Sequence, residues 1–569
     1  MAILAVILAC HAALLVHCAV NKSICFDEGA HLGAGLAYLK YGEMSIYNLS
    51  PPVARMWVAL PAYLSGAEIP PAKRHRNEPD RVRSWNYFDA VRDANLPNLH
   101  RYVLWGRFMT MPLSLCVAAI IFGWTRRLYG PAGGLIASAI WCFSPTVIAH
   151  GSTLGTDMPL TALMFLAVGL WQRFIESRRN SHALAAAVAI ALAHTIKFTA
   201  LLLWPMLLVL ALFAIVRDRR RWRDLLAGAT LAVVITFVVF NASYRFRLMG
   251  DRLGAFQFQS DTMLSVQRSL PGWLPVPFHR DAVTGFDAQK WEAESQYVTG
   301  LFGRAYFGSS WAYYPWCVIS KSTIGELALL AIAVISFALK RPNRSEWPLI
   351  VLAVGTLVGM TLAARINIGI RYLLPAYPAL IILLARGVQL PKLKLVIVAA
   401  TTAIAIETLF ATPRMHSFVN VAVRPWRWLV PDQDWGQSLL ALRDWMSSQH
   451  VERIRLIGPS RLCPQPYGIP IVGAFDDSQS RFVAFSRCSL DGVPIVSPDG
   501  FILVRPWRTL RRIPPVSDLG GIVIYEIEQV KSAANREPWL AAFDGWYDAA
   551  RDPALAPIDD LQARLQAGR

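Results

Sequence analysis

Charge is what this sequence has least of. Only 17% of its 569 residues are Asp, Glu, Lys or Arg, against about 25% in soluble domains. Together with its apolar content, that shortage excludes a disordered chain and sets the protein apart from purely soluble enzymes. Cysteine is sparse as well. Its 8 residues do not make a disulfide scaffold, and none of their spacings is of the metal-binding kind. No basic residue precedes the first apolar run, and no small-x-small cleavage site stands out near residue 20. A membrane span is therefore expected there, with a removable signal peptide as the alternative. Internal repeats and low-complexity tracts are also missing. Acids are outnumbered, 38 against 56 Lys and Arg, for a net charge of +18. In a soluble chain that excess would suggest nucleic acid. Membrane proteins gather the same excess in their cytoplasmic loops, and no nucleic-acid partner is expected.

Apolar sequence is abundant: 54% of residues are hydrophobic and the mean hydropathy is +0.37. A membrane helix takes roughly 20 mainly apolar residues, and by that measure about eleven candidates are present. They lie near 2–20, 102–124, 131–150, 157–175, 182–196, 199–216, 225–241, 313–339, 347–364, 371–388 and 393–411. The run 182–216 is too long for one span and is divided at "AHTIKFT". Every second connection is short and basic: 126–130, 176–182, 217–224, 340–344 and 386–394. Such loops stay in the cytoplasm. The N-terminus is then cytoplasmic, and an odd number of spans leaves the tail outside.

The expected fold class is an α-helical polytopic membrane protein with extracytoplasmic loops and a small C-terminal α/β domain. The membrane part is 1–411, with outer loops 21–101 and 242–312, and the tail domain is 412–569. The tail alternates strand-like runs ("VERIRLIG", "RFVAFS", "GFILVRP", "GIVIYEI") with a helix-like one ("GQSLLALRDWMSSQ"). Cys10, Cys18, Cys116 and Cys142 lie in spans, where a thiol behaves as a small hydrophobe. Cys463 and Cys488 share the tail and could pair or stay free.

Three groups of residues carry chemical potential. Asp27 and Glu28 follow the first span in "CFDEGAHLGAGLAYLKYG", with His31 one helical turn later. Neighbouring acids on a helix point about 100° apart, so one can face a cavity while the other holds a neighbour. A carboxylate at the rim of an apolar cavity suits general-base work. Solvated acids at a membrane edge are the plainer reading. Asp157 begins a span, where it would cap free N–H groups and sit at a helix end that attracts anions. Isolated cations fall on the same side: Arg55, Arg107, Lys197 and Arg371. Outer connections are normally poor in Lys and Arg. Singly each would snorkel to lipid headgroups, but four facing two or three acids suggest a phosphate handled beside a carboxylate base.

The chain resembles the dolichyl-phosphate-mannose–protein mannosyltransferase-like group of integral-membrane glycosyltransferases, which includes the aminoarabinose transferase acting on lipid A. Seven segments carry the likeness in order: "DEGAHLGAGLAYLKYGE" (27–43), "PPVARMWVALP" (51–61), "SPTVIAHGSTLGTDMP" (144–159), "KFTALLLWP" (197–205), "WAYYPWCVISKST" (311–323), "RINIGIRYLLPAYP" (365–378) and "DQDWGQSLLALRDW" (432–445). The resemblance implies the multi-span fold of the C-type glycosyltransferase superfamily, with the active site in the first outer loop. It implies a sugar donor on a polyprenyl phosphate and a base from the pair Asp27–Glu28. It makes Asp157 the second important acid and puts Arg107 and Lys197 around the lipid phosphate. Some members hold a divalent metal, but the mannosyl-transferring ones are not thought to need it, so no cofactor is required and a divalent ion is compatible. One departure is clear. Where the family has His-Pro-Pro-Leu-x-Lys, this chain has Ser50-Pro51-Pro52-Val53-Ala54-Arg55, and Arg does not replace Lys neutrally at a phosphate.

The expected function is inverting transfer of a hexosyl or pentosyl group from a polyprenyl-phosphate carrier to a hydroxyl of a protein, lipid or glycan acceptor. It would take place at the outer face of a bacterial inner membrane. Asp27, Glu28 and Asp157 are the expected catalytic acids. Arg55, Arg107, Lys197 and Arg371 are the expected phosphate ligands, and His31 is a further candidate. A transporter or flippase for a lipid-linked or anionic substrate would also explain intramembrane charges. It accounts less well for three large outer segments, and no inverted halves with broken helices are visible. A non-catalytic member presenting its tail to a partner is disfavoured by the intact Asp27, Asp157 and Lys197.

Overall fold

A computed structural model gives the fold. It describes all residues except 76–77, 79, 295–297, 303, 308, 364–366, 432, 459–461, 473–479, 491–494, 498–499, 503–509, 511–512 and 535–569. Arg365 and the second residue of the "RINIGIR" segment lie outside the described residues. The chain forms two units. One holds 1–20, 27–297 and 308–425; the other holds 21–26, 298–307 and the tail from 426. Residues 412–425 go with the first unit.

The first unit is that of an α-helical polytopic membrane protein. Its helices are α1 (Ala2–Val20), α2 (Phe26–Tyr41), α3 (Val53–Leu64), α4 (Asp80–Asn95), α5 (Leu99–Phe143), α6 (Pro145–Gly151), α7 (Asp157–Ser177), α8 (Asn180–His194) and α9 (Leu203–Arg217). They continue with α10 (Trp222–Ser243), α11 (Asp261–Ser269), α12 (Arg280–Glu294), α13 (Tyr313–Lys321), α14 (Ile324–Leu339), α15 (Trp347–Ala363), α16 (Tyr377–Leu384) and α17 (Lys394–Ala411). Among the described residues, 7 helices are long and apolar enough to cross a membrane, or 8 with the bent pair α13–α14. The gap from the expected number has local causes. α5 takes in two expected spans, which part at Gly130, where the backbone leaves the helical region at φ 82° just before Pro131. Two other expected spans, Asn180–His194 and Trp347–Leu362, are apolar but shorter than the rest.

The division of 182–216 occurs where "HTIK" suggested: α8 ends at His194, and Lys197 is extended before the 3-10 turn Phe198–Leu202. The expected single span 313–339 is instead broken, with a 118° bend between α13 and α14. Ser322 and Thr323 are extended there. Thr323 accepts from the Glu326 N–H, and the Glu326 carboxylate accepts from the Thr323 N–H. A reciprocal box of this kind starts a new helix rather than continuing an old one.

α1 packs into the core of the first unit. Leu14, Leu15, Cys18 and Ala19 pack with Met111, Ile148, Ala149 and Met415. His11 is fully buried, its ring nitrogens 2.8 Å from the Cys142 carbonyl oxygen and 2.8 Å from Ser114 Oγ. α2 and α3 touch at Gly35, where an added Cβ would stand 2.3 Å from the Arg55 carbonyl oxygen. Backbone cannot yield there as a side-chain tip would, so Gly35→Ala is expected to cost about 1–3 kcal/mol. The loss would be read as a lower Tm in detergent. An unchanged Tm would mean that the two helices separate at no cost.

The second unit contains a hairpin of β1 (Val298–Leu301) and β2 (Arg304–Phe307), and then the tail. The tail runs α18 (Leu439–Ser448), β3 (Ile454–Ile457), β4 (Ile471–Val472), β5 (Phe482–Ser486), α19 (Arg487–Leu490), β6 (Ile495–Ser497), β7 (Gly500–Ile502), β8 (Ser517–Asp518), β9 (Ile522–Glu526) and α20 (Ile527–Ala534). Five strands make one mixed sheet in the order β4-β3-β5-β9-β8. Val483, Phe485, Val523 and Tyr525 form its core with Leu490, Leu510 and Ile527. This is the small α/β domain read from the alternating runs. Cys463 and Cys488 are free thiols.

Candidate active site

Asp27 and Glu28 occupy the first turn of α2, where the helix end favours negative charge. Their side chains part company. The Asp27 carboxylate pairs with the Arg371 guanidinium and keeps 33% of its side-chain exposure. Glu28 is fully buried, and its two oxygens accept from Arg107 Nε at 2.8 Å and Arg107 Nη2 at 2.6 Å. Glu28 also accepts from the Leu154 N–H at 2.9 Å, and Arg107 Nη1 donates to the Ala19 carbonyl at 2.6 Å. Arg107, like Glu28, has no exposed side-chain surface. The structure therefore does not bring Glu28 or Arg107 to a substrate surface. It joins the expected catalytic acid to the expected phosphate ligand as a buried brace between α2 and α5.

Asp157 opens α7 as its first helical residue, and Thr156 occupies the cap position. The Asp157 carboxylate accepts from Lys197 Nζ at 2.9 Å. Lys197 is the extended residue between α8 and the 3-10 turn, so the break in the long apolar run is what delivers the amine. Arg371 comes from the 3-10 segment Ile370–Ala376, entered through Gly369 at φ 79°. The Asp27 charge interacts with both Arg371 and Asp157, and Asp157 interacts with Lys197 and Arg371. Asp27, Arg371, Asp157 and Lys197 thus form one alternating cluster assembled from four elements. Tyr372 lies under both cations, 4.3 Å from Lys197 Nζ and 5.5 Å from the Arg371 guanidinium, measured to its ring centre.

His31 and Arg55 flank the cluster through a second aromatic ring. Tyr47 is 5.1 Å from the His31 ring and 4.5 Å from the Arg55 guanidinium, centre to centre or to centre. Arg55 donates to Ser50 Oγ at 2.9 Å and to the Ser50 carbonyl at 2.8 Å. Ser50 and Arg55, which stand where the compared pattern has His and Lys, are therefore bonded to each other.

Tyr47 and Tyr372 escaped the sequence reading. Tyr372 follows Arg371 directly, which was a usable signal; Tyr47 had none. Thr199 and Thr356 were also missed. With Lys197, Asp157, Arg371 and Tyr372 they line a narrow crevice whose other walls include Leu160, Met164, Leu202 and Met360. Both hydroxyls are buried and without a hydrogen-bond partner among the described residues.

Burial opposes ionisation of Asp27, but Arg371 and His31 outweigh it and hold the carboxyl below its ordinary value of 3.8. Burial lowers His31 to about 4, against the partial support of Asp27. Above about pH 5 the first group is charged and the second neutral. Activity from this site is expected to show no acid limb between about pH 5 and pH 8 from either group. A kcat/KM profile with an acid-limb pKa near 6.5 would mean that His31 titrates in the working site. Among the described residues, no three His, Cys, Asp or Glu side chains gather as metal ligands. Asp27 and Asp157 meet cationic side chains instead, a donor set that does not fit a resident divalent ion.

Comparison with known proteins adds the following. Residues 104–244 match the model of the dolichyl-phosphate-mannose-protein mannosyltransferase family. That stretch includes Arg107, Asp157 and Lys197. No curated protein matches the sequence. Among solved structures, ArnT from Cupriavidus metallidurans bound to undecaprenyl phosphate has a TM-score of 0.48 at 13% identity, covering 91% of this chain and 97% of that chain. The oligosaccharyltransferase of Archaeoglobus fulgidus in complex with Zn and sulfate has a TM-score of 0.43 at 11% identity, covering 89% of this chain and 74% of that one. Archaeal AglB from the same organism, in complex with an inhibitory peptide and a dolichol-phosphate, has a TM-score of 0.44 at 12% identity, covering 85% and 69%. By its ordered segments and its matched stretch, this membrane protein is similar to the dolichyl-phosphate-mannose-protein mannosyltransferases.

Proposed function

We propose that the protein is an inverting glycosyltransferase. It moves a sugar from a polyprenyl-phosphate carrier to an acceptor hydroxyl at the extracytoplasmic face of a bacterial inner membrane. One observation carries this reading: a partly exposed carboxylate, Asp27, stands in one cluster with Arg371 and Lys197. Lys197 and Arg371 also line, together with Asp157 and apolar side chains, the small cavity beside them. α7 supports this orientation, because it begins at Asp157 and ends next to the basic loop 176–182. Basic loops mark the cytoplasm, and the 21 residues of α7 span about 30 Å.

In the reaction the acceptor oxygen attacks the anomeric carbon as the bond from that carbon to the phosphate oxygen breaks. The bonding pair leaves with the phosphate, and the acceptor proton passes to Asp27. Lys197 and Arg371 meet the second negative charge that develops on the phosphate, where one well-placed donor is worth about 3 kcal/mol. A base held below its usual pKa is weak. A phosphate that draws Arg371 away from Asp27 would return basicity to the carboxylate, so the base becomes competent when the donor is seated. Asp157 orients Lys197, and Glu28 anchors the first turn of α2 through Arg107. No step calls for a metal, and transfer in EDTA is expected to match transfer without it.

Mass spectrometry of lipids that co-purify with the protein tests the reading. A polyprenyl-phosphate sugar, together with covalent transfer to an added acceptor, is the supporting result. Movement of a lipid-linked substrate across vesicles with no covalent product would replace transfer by transport.

A further inference from the structure

We propose that the loop 433–438, "QDWGQS", is a positioning clamp for the helix that carries the base, a proposal that rests on the sugar-transfer reading. The loop grips the segment 21–26, which belongs to the same unit, and Asp27 is the next residue in the chain.

The grip is built from backbone and hydroxyl groups. The Ser23 N–H donates to the Gln437 carbonyl at 3.1 Å, and the Phe26 N–H donates to the Trp435 carbonyl at 2.8 Å. Ser23 Oγ donates to the Gly436 carbonyl at 2.6 Å and accepts from the Leu439 N–H at 2.9 Å. The Ile24 N–H donates to the Tyr467 hydroxyl at 2.8 Å. Phe26 is the first residue of α2, and its N–H is one of the donors a helix leaves unsatisfied at its start.

The loop is itself rigid, which makes it a support. The buried Asp434 carboxylate accepts from the Gly436 N–H at 2.9 Å and from the Ser486 hydroxyl at the end of β5. Gln437 Oε1 accepts from the Trp435 N–H at 2.5 Å, and its amide donates to the Gln433 carbonyl at 3.0 Å. Ser438 Oγ accepts from the Gly521 N–H at 3.1 Å and donates to the Leu519 carbonyl at 3.3 Å, at the turn before β9. Gly436 has φ +84°, and an added Cβ would stand 3.2 Å from the Ile24 carbonyl oxygen. Each residue of "DWGQS" therefore has a place in fixing 23–26. A catalytic group needs sub-ångström placement, and a small displacement by a remote change costs on the order of a hundredfold in rate.

The test uses full-length protein in lipid nanodiscs. Ser23→Ala removes two of the bonds, Tyr467→Phe removes one with little change of shape, and Gly436→Ala strains the loop. Amide exchange of the peptide covering 22–27 is measured beside kcat and the donor KM. Expected are faster exchange in all three variants and a kcat lowered by about tenfold or more in Ser23→Ala. The donor KM should stay within about twofold, because the clamp touches no substrate. Unchanged exchange in Ser23→Ala and Tyr467→Phe would show that no clamp exists. Faster exchange with unchanged kcat would show that it does not position the base. Absence of transfer by the wild type would overturn the sugar-transfer reading itself, and exchange would still decide whether the clamp exists.

Discussion

Asp27→Asn is expected to remove sugar transfer while the protein stays folded and keeps its lipid phosphate. The amide has the shape of the carboxylate but accepts no proton at neutral pH, so the acceptor oxygen must attack with its hydrogen still in place. General-base assistance is worth about 10²–10⁴ in rate, and a loss of that size in kcat is the expected result. Stability should change little. Asp27 keeps a third of its side-chain exposure, and an ion pair this open to solvent contributes modestly. Arg371 retains the charge of Asp157 nearby. The measurements are initial rates of transfer, Tm, and the amount of co-purified carrier lipid. Transfer by the variant at a near-wild-type rate would remove Asp27 from the chemistry.

Glu28→Ala, one residue along, is expected to fail for a different reason. It leaves Arg107 charged in a place with no water, since both side chains are at 0% exposure. Breaking one partner of a buried pair costs about 3–5 kcal/mol, enough to lower Tm steeply or to prevent accumulation of the protein. Replacing both partners by apolar residues of similar volume, Glu28→Leu with Arg107→Met, should recover much of that loss, because no stranded charge remains. Recovery of Tm in the double variant is the outcome that separates a brace from a catalytic group. A Glu28→Ala protein as stable as wild type yet inactive would return Glu28 to the chemistry.

The two acids show where sequence reasoning reached its limit. Adjacent residues on a helix must face different ways, and that much was evident from "DEGAH". Which acid stays partly exposed depends on where α5 packs, since Arg107 lies 79 residues from Glu28. Arg107 looked like a phosphate ligand because it is a cation at the start of an apolar run, and nothing local distinguishes that from a buried brace. The bend at Ser322–Thr323 is a contrary case. Its signal, Thr323 followed by Glu326, is a local capping pattern that was present but outweighed by the apolar run around it. Tyr47 gave no signal, because a tyrosine in an aromatic-rich loop has many possible neighbours. Lys197 was legible, since a lone lysine inside a long apolar stretch has to end at a break or meet an acid.

By itself, the sequence determined that this chain is a bundle of apolar helices with a sorted set of basic loops and a small α/β tail. It also singled out a few acids and cations, Asp27, Asp157, Lys197 and Arg371 among them, as candidates for one site. These are properties of single segments, namely length, hydropathy and loop charge, and each can be read without knowing its neighbours. Tertiary structure alone decided the partners. Asp27 meets Arg371 across 344 residues and Lys197 meets Asp157 across 40, while Glu28 and Arg107 are sealed away from both pairs. The reason is that an ion pair in a helix bundle is set by which helix faces pack together, a choice made by the shapes of distant side chains and the close approaches that residues such as Gly35 permit.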